Sequence, residues 1–309
     1  MNFTIAGLQI CGNTVKRILA ENNIHRRKPT EKPQLSNVQR AARLAFCLHY
    51  QQLDWHQVIF TDESYFETRD LRHRRSRGVL RRPGEAYLPQ NLNVKFPKGS
   101  TVMFWGAILY GHDGSMLPYH LYTTPYETKE QKKEAEVQLV REYQLELAEV
   151  EWFNQMGFDH PNPPKLKERK KDRKGGIDWF IYRERILNPL LYPLACNAQV
   201  TCPNLLIMED NAPSHIHQYH DLPRERLGLR KLTWPANSPD LNPIESIWCE
   251  MKDRLHERLG IRMTATAIYQ VVLEEWINYP AEWINKYIDS MPLRIEACIK
   301  DEGGNGFNY

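Results

Sequence analysis

The chain of 309 residues carries 41 Lys and Arg against 38 Asp and Glu, a net charge of +3, and 41% of its residues are hydrophobic. That length suits one large domain with a small one beside it. A mean hydropathy of -0.61, with no apolar run near the roughly 18 residues of a spanning helix, argues against a membrane protein.

Met1 to Asn13 has neither the basic start nor the long apolar stretch of a signal peptide, and the six scattered cysteines include no Cys-x-x-Cys pair. Free thiols and an intracellular setting are therefore expected. In chain order, residues 1–24 read as a small all-α piece. Cys11-Gly12-Asn13-Thr14 offers a turn and capping side chains, after which Val15, Ile18 and Leu19 fall at helical spacing with Lys16 and Arg17 opposite. Ile5 and Leu8 fit a preceding helix. The piece resembles part of a helix-turn-helix, short of the three helices such a core needs. A basic linker over 25–36 follows, where Arg26, Arg27 and Lys28 precede Pro29 and Lys32 precedes Pro33. Proline resists regular structure there, and the like charges favour phosphate.

Residues 37–309 read as one α/β domain. Ser36 can cap a helix from Asn37 to about Tyr50, with Val38, Ala41, Ala42, Ala45 and Leu48 as its apolar face. Val58-Ile59-Phe60 is a β-type run leading into Thr61-Asp62-Glu63-Ser64, which puts Asp62 at a strand end. Further strands are expected around Tyr65 to Thr68, Thr101 to Tyr110 and Ser115 to Leu121, the last two joined by a turn at Gly111-His112-Asp113-Gly114. A charged insertion at about 127–174 comes next. It holds a helix-prone stretch from Glu127 to Phe153 and seven basic residues between Lys165 and Lys174. Leu205 to Met208 is a buried strand that delivers Glu209 and Asp210. Ile244 to Arg258 reads as a helix with Ile244, Ile247, Trp248, Met251 and Leu255 on one side and Glu245 in its first turn. Two more helices, near Ala265 to Asn278 and Glu282 to Ser290, close the domain.

Asp62 and Asp210 at strand ends and Glu245 at a helix start are the acids to examine. Cleaving or joining a phosphodiester requires charge neutralisation, an activated nucleophile and a stabilised leaving oxygen, all of which two magnesium ions about 4 Å apart supply. Magnesium is a hard cation that prefers carboxylate oxygens and water. Three acids converging from two strands and a helix fit that need, and the expected architecture is a ribonuclease H-like mixed sheet flanked by helices. Singly, each acid among 38 is as well explained by a strand-end turn.

Longer motifs add to the acids. Met208-Glu209-Asp210-Asn211-Ala212-Pro213-Ser214-His215 resembles the second-aspartate motif of Tc/mariner transposases. Ser238-Pro239-Asp240-Leu241-Asn242-Pro243-Ile244-Glu245-Ser246-Ile247-Trp248 resembles the segment with their catalytic glutamate, and 34 residues separate Asp210 from Glu245, as in the Tc branch. Thr61-Asp62-Glu63-Ser64 resembles the first-aspartate motif. Arg81 to Glu85, Phe104 to Ala107 and Ser290-Met291-Pro292 to Gly304 match in order. The resemblance implies a DDE transposase, shortened at its N-terminus, in which Asp62, Asp210 and Glu245 are catalytic and hold magnesium, with manganese as a substitute. It implies hydrolysis at the element's ends, strand transfer of the freed 3′-hydroxyl into target DNA, insertion at easily deformed TA steps, a homodimer when active, and the nucleus as location in a eukaryote.

Glu63 and Glu209 neighbour two of these acids, and alternation along a strand turns both away from the metals, toward supporting positions or solvent. His215, His217 and His220, with Cys196 and Cys202, match no standard zinc spacing. The prolines at 235, 239 and 243 suit a rigid loop ahead of Glu245. Expected phosphate contacts are Lys16, Arg17, Arg26, Arg27, Lys28, Arg74 and Arg75, for which a solvated charged face is the plainer alternative. Two rival functions remain: a catalytically silent DNA-binding remnant of such an element, and a ribonuclease H-like hydrolase of RNA–DNA hybrids.

Overall fold

The structure is a computed structural model that describes residues 34–67, 101–111, 119–122, 128–160, 178–258 and 264–307, together with 2–5, 8–11, 14, 17, 18, 21, 162, 163, 165, 166 and 169. The chain forms two compact units, Met1–Gln34 and Leu35–Tyr309. Of the expected phosphate contacts only Arg17 is among the described residues; Lys16, Arg26, Arg27, Lys28, Arg74 and Arg75 lie outside them.

In the first unit β1 (Asn2–Ile5) and β2 (Leu8–Cys11) pair antiparallel, with Asn2 opposite Cys11 and Ile5 opposite Leu8. This corrects the all-helical reading of the stretch through Ile5 and Leu8. Phe3 and Ile5, then Leu8 and Ile10, alternate with the period of a strand, and a helix this short is marginal. Thr14, Arg17, Ile18 and Glu21 are helical, as the capping turn predicts. Arg17 is exposed, and its Nε lies 3.8 Å from Glu21 one turn on.

The second unit is built on a five-stranded sheet in the order β5-β4-β3-β6-β7, formed by β3 (Val58–Glu67), β4 (Thr101–Ile108), β5 (Tyr119–Tyr122), β6 (Leu206–Met208) and β7 (Arg230–Lys231). β4 runs antiparallel to both of its neighbours, β3 and β5, whereas β6 and β7 run parallel to β3. The sheet is mixed, as expected. Two corrections concern β3. It is one strand rather than two, and Asp62 sits inside it, opposite Gly106. The parallel ladder with β6, however, stops at Phe60 opposite Met208. Asp62 is therefore the first β3 residue on its face beyond the end of β6.

Both faces of the sheet are covered. Phe60, Phe66, Val102 and Phe104 pack against α5 (Ile244–Arg258), α6 (Ala265–Ile277), α7 (Ala281–Asp289) and α8 (Met291–Lys300) through Trp248, Trp276, Ile288 and Ile295. Ile59, Trp105, Ala107 and Ile207 point the other way, onto α3, a helical run of Trp179–Tyr182, a π-type Arg183–Leu191 and Tyr192–Gln199. Alternation along each strand produces the two cores. The predicted face of α5 holds: Ile244, Ile247, Trp248, Met251 and Leu255 are all buried. α3, the short α4 (Asp221–Arg226) and the third closing helix, α8, went unread in the sequence, whereas the helix-prone stretch of the insertion forms α2 (Lys129–Gln155).

The helix α1 (Asn37–His49) starts where Ser36 predicts, with a capping box to Gln39, but its buried face is different. Val38, Ala41, Ala42, Ala45 and Leu48 are exposed, and Arg43, Phe46 and Cys47 are buried. Arg43 decides this. Its guanidinium donates to both carboxylate oxygens of Asp240 (2.9 and 2.6 Å) and to the carbonyls of Gly303 and Gly304 (2.9 Å each). A buried charge with all its donors met outweighs the weak pull of three alanines.

Candidate active site

Three segments converge beyond the end of β6, and a short bond beside each acid ties them together. Thr61 Oγ1 donates to the Met208 carbonyl at 2.8 Å, which fixes the residue before Asp62 against the residue two before Asp210. Asn211 donates to the Trp234 carbonyl at 2.7 Å. Asn242 reaches the Thr61 carbonyl at 3.4 Å from the loop ahead of Glu245. That loop is clamped further by the Arg43–Asp240 pair and by Arg294, which donates to the Asp240 carbonyl (2.9 Å) and to Ser246 Oγ (3.0 Å). Asn237 within it has φ 55, a left-handed conformation that asparagine tolerates better than most residues. The prolines help, but ionic and amide contacts hold the loop.

Asp62 and Glu245 meet directly. Glu245, in the first turn of α5, shares a hydrogen bond with Asp62. Burial pushes the Asp62 carboxyl well above the usual carboxylate range, and the charges of Glu245, Glu63 and Asp210 around it push it the same way. Burial also raises Glu245. A hydrogen bond between two carboxyls requires one of them to keep its proton, and crowded negative charge favours that outcome. Asp62 Oδ2 is buried with no hydrogen-bond partner among the described residues.

Asp210 faces the same space but is held differently. Its Oδ1 accepts from His215 Nδ1 at 2.6 Å and from the Ala212 amide at 2.9 Å. His215 Nε2 lies 3.2 Å from Glu63 Oε1. Burial would lower the imidazole, yet the bonds to Asp210 and Glu63 raise it to about 10, so the ring is a cation that donates from both nitrogens. Burial would raise Asp210, and His215 outweighs it to hold the carboxyl below its usual value. His215 thus links Asp210 to Glu63 across the sheet edge.

Glu209 lies on the opposite face, as alternation predicts, but it is fully buried rather than turned to solvent. It accepts from Arg224 at 2.5 Å and from the Tyr182 hydroxyl at 2.7 Å, and Lys231 Nζ is 3.6 Å away. Burial alone would raise it; these cations and the hydroxyl win and keep it low. None of these three partners stood out in the sequence, since each lies in a stretch without a motif. The histidines do not form a zinc site: His217 stacks on Trp179 with centroids 4.3 Å apart, and His220 Nε2 meets the Ser214 carbonyl at 2.8 Å. Among the described residues no three His, Cys, Asp or Glu side chains are gathered as a ready metal cage.

Comparison with known proteins places the chain in a family. A family model described as a transposase, of the Tc3 helix-turn-helix type, matches residues 2–52. The Tc1 transposase of Caenorhabditis elegans is 30% identical over 297 residues, covering 94% of this chain and 85% of the relative. The Tcb2 transposase of Caenorhabditis briggsae is 27% identical over 298 residues with the same coverage. Among solved structures, the Mos1 strand transfer complex superposes with a TM-score of 0.58 at 18% identity, covering 96% of this chain and 72% of that one. The Mos1 catalytic domain with raltegravir and Mg gives 0.52 at 15% identity over 88% of this chain and 99% of that one. The mixed sheet with its flanking helices is thus the ribonuclease H-like fold of that domain, and the chain belongs to the Tc/mariner family of transposases.

Proposed function

We propose that this chain cuts and joins DNA as a DDE transposase, with Asp62, Asp210 and Glu245 holding magnesium, or manganese in its place. The observation that carries the reading is the unpartnered Oδ2 of Asp62, buried opposite Glu245 with Glu63 and Asp210 nearby. Several carboxylates drawn together without a cation of their own are costly. A hard divalent ion is the partner that oxygen donors of this kind suit, and the Mos1 structures described with Mg and with Mn are in keeping with that choice. When bound, such ions supply an activated water or 3′-hydroxyl and neutralise the phosphate in flight.

The chain's own residues set the geometry. Asp62 is fixed by the β3–β4 ladder, and Glu245 by the clamped loop and the start of α5. Asp210 is aimed by the cation of His215, which also ties up Glu63 and so keeps that fourth acid oriented. The substrates are the ends of a Tc/mariner-type element and a target duplex, and a pair of chains joins the two ends. Basic residues outside the described segments, Arg26, Arg27, Lys28, Arg74 and Arg75, with Lys16 and the exposed Arg17, are proposed to contact phosphate.

The test is nicking of supercoiled plasmid with magnesium, run beside Asp210→Asn. Nicking lost in the variant supports the reading. Equal DNA binding by both without nicking points instead to a silent DNA-binding remnant, and cleavage confined to RNA–DNA hybrids points to a hybrid hydrolase.

A further inference from the structure

Most of the cations around the three acids already have partners. His215 is held between Asp210 and Glu63. Arg224 and Lys231 are committed to Glu209 on the other face. Arg43 is paired with Asp240, and Arg294 donates to the Asp240 carbonyl and to Ser246. Lys252 differs from all of them. It lies in α5, the helix that carries Glu245 in its first turn, and it is half-buried. It has no ion-pair partner among the described residues. Its ammonium sits 5.7 Å from the centroid of the Phe66 ring, a contact that holds a cation without neutralising it.

Two periodicities place this ammonium. Seven positions at 100° per residue bring Lys252 back to within about 20° of Glu245, two turns and about 10 Å further along α5. Asp62 and Phe66 are four positions apart in β3, so they share one face of the sheet, about 13 Å apart. Lys252 therefore continues the line of the Asp62–Glu245 pair over the same face. Burial raises the Glu245 carboxyl, and the charge of Lys252 opposes it, the behaviour of a cation in view of the acids but out of contact. A lysine that served only to neutralise Glu245 would pair with it, whereas Glu245 bonds to Asp62 instead. Ions at the acids answer the charge of one phosphate, and the neighbouring phosphates of the strand keep theirs. Lysine is a point charge on a flexible arm, which grips a phosphate without reading the base. That suits a site that must take both an element end and a target of different sequence.

We propose that Lys252 holds a backbone phosphate beside the one being cut, and so sets the position of the DNA strand across Asp62, Asp210 and Glu245. The inference rests on the cutting reaction proposed above and adds a residue that places its substrate. The test is the binding of a short fluorescent duplex to the full chain in EDTA, where no chemistry occurs, over a range of salt concentrations. Lys252→Met keeps an apolar stem over Phe66 and removes the charge. It should bind several-fold more weakly, with a log–log salt slope shallower by about 0.9, the loss of one phosphate contact. Lys252→Arg should restore both. In plasmid nicking with magnesium, KM for DNA should rise in Lys252→Met by more than kcat falls. Lys252→Gln, read in the same way, decides the question if the methionine variant does not fold. An unchanged slope overturns the assignment, and so does a shallower slope with KM unchanged, which puts the contact away from the cut. A fall in kcat alone would reduce Lys252 to steadying Glu245. A wild type that does not nick counts against the cutting reaction only, because the slope is read without it.

Discussion

Asp62 and Glu209 are both withdrawn from water at the same end of the sheet, and the surroundings of the two carboxylates are opposite. Glu209 is met by Arg224, Lys231 and Tyr182, and its pKa is held low in spite of complete burial. Asp62 is met by Glu245, Glu63 and Asp210, and its pKa is driven up. Glu209 is fully buried and Asp62 only part-buried, so burial alone would raise Glu209 at least as much, and the difference is compensation. The fold neutralises the first acid from within and leaves the second without a neutralising cation. On the proposed function the first belongs to the architecture and the second to the chemistry, and substitution should separate them.

The largest effect is expected at the uncompensated site. Asp62→Asn or Asp210→Asn should lower magnesium-dependent nicking by at least about a thousand-fold, since the loss of a metal ligand forfeits several kcal/mol of charge stabilisation. Asp62→Asn removes a source of repulsion, so the melting temperature of the metal-free chain should stay level or rise. A marked fall in melting temperature would assign Asp62 to the architecture after all. Glu209→Gln should do the reverse. It strands Arg224, 6% exposed, and the half-buried Lys231 without their counter-charge. Breaking such a buried pair costs about 3–5 kcal/mol, to be read by urea denaturation, with nicking per folded molecule reduced far less. Unaltered stability would remove the contrast between the two faces.

How much of this could be read beforehand follows the same division. Asp62, Asp210 and Glu245 were legible because each sits beside an apolar run or within a motif that marks a strand end or helix start. The strand Leu206–Met208 and the face of α5 were legible because apolar periodicity decides them. Arg224, Lys231 and Tyr182 were not, because a long-range pairing with Glu209 leaves no periodic trace. Arg43 misled the reading of α1 for the same reason: its partners Asp240, Gly303 and Gly304 lie nearly two hundred residues or more downstream. The register of β3 was hidden too. Thr61-Asp62-Glu63-Ser64 looks like a turn, and only its pairing with Phe104 to Ala107 makes it strand.

Gly106 offers a sharper probe of that pairing. It lies opposite Asp62, and a Cβ there would come within 2.7 Å of Trp276 and 2.8 Å of Trp248. Both rings belong to the core beneath Glu245, stacked with centroids 5.0 Å apart. Gly106→Ala should therefore destabilise by about 1–3 kcal/mol through overpacking, and it should lower nicking as well, because α5 is displaced from Asp62. Loss of stability with full nicking would show that the helix moves without carrying Glu245 away.

His220 yields the smallest effect and tests the compensated face by pH. It is fully buried, its Nε2–H meets the Ser214 carbonyl at 2.8 Å, and its Nδ1 has no partner among the described residues. Burial first, and then the charge of Arg224, lowers its pKa to about 3. The folded chain thus refuses a proton that the unfolded chain accepts near its ordinary 6.5. With the folded value depressed, stability is complete above about pH 6.5 and drains away as pH falls from there toward 3. At pH 5.5 the loss from this one group is about 1 kcal/mol. His220→Gln keeps a donor for Ser214 but has nothing to titrate. The stability gap between wild type and variant should therefore narrow by that amount between pH 7.5 and 5.5. Two curves that stay parallel over that range would mean that His220 titrates alike in the folded and unfolded chain, and a gap that widens as pH falls would mean that the imidazole is already charged in the fold, with Glu209 rather than Arg224 setting the local field.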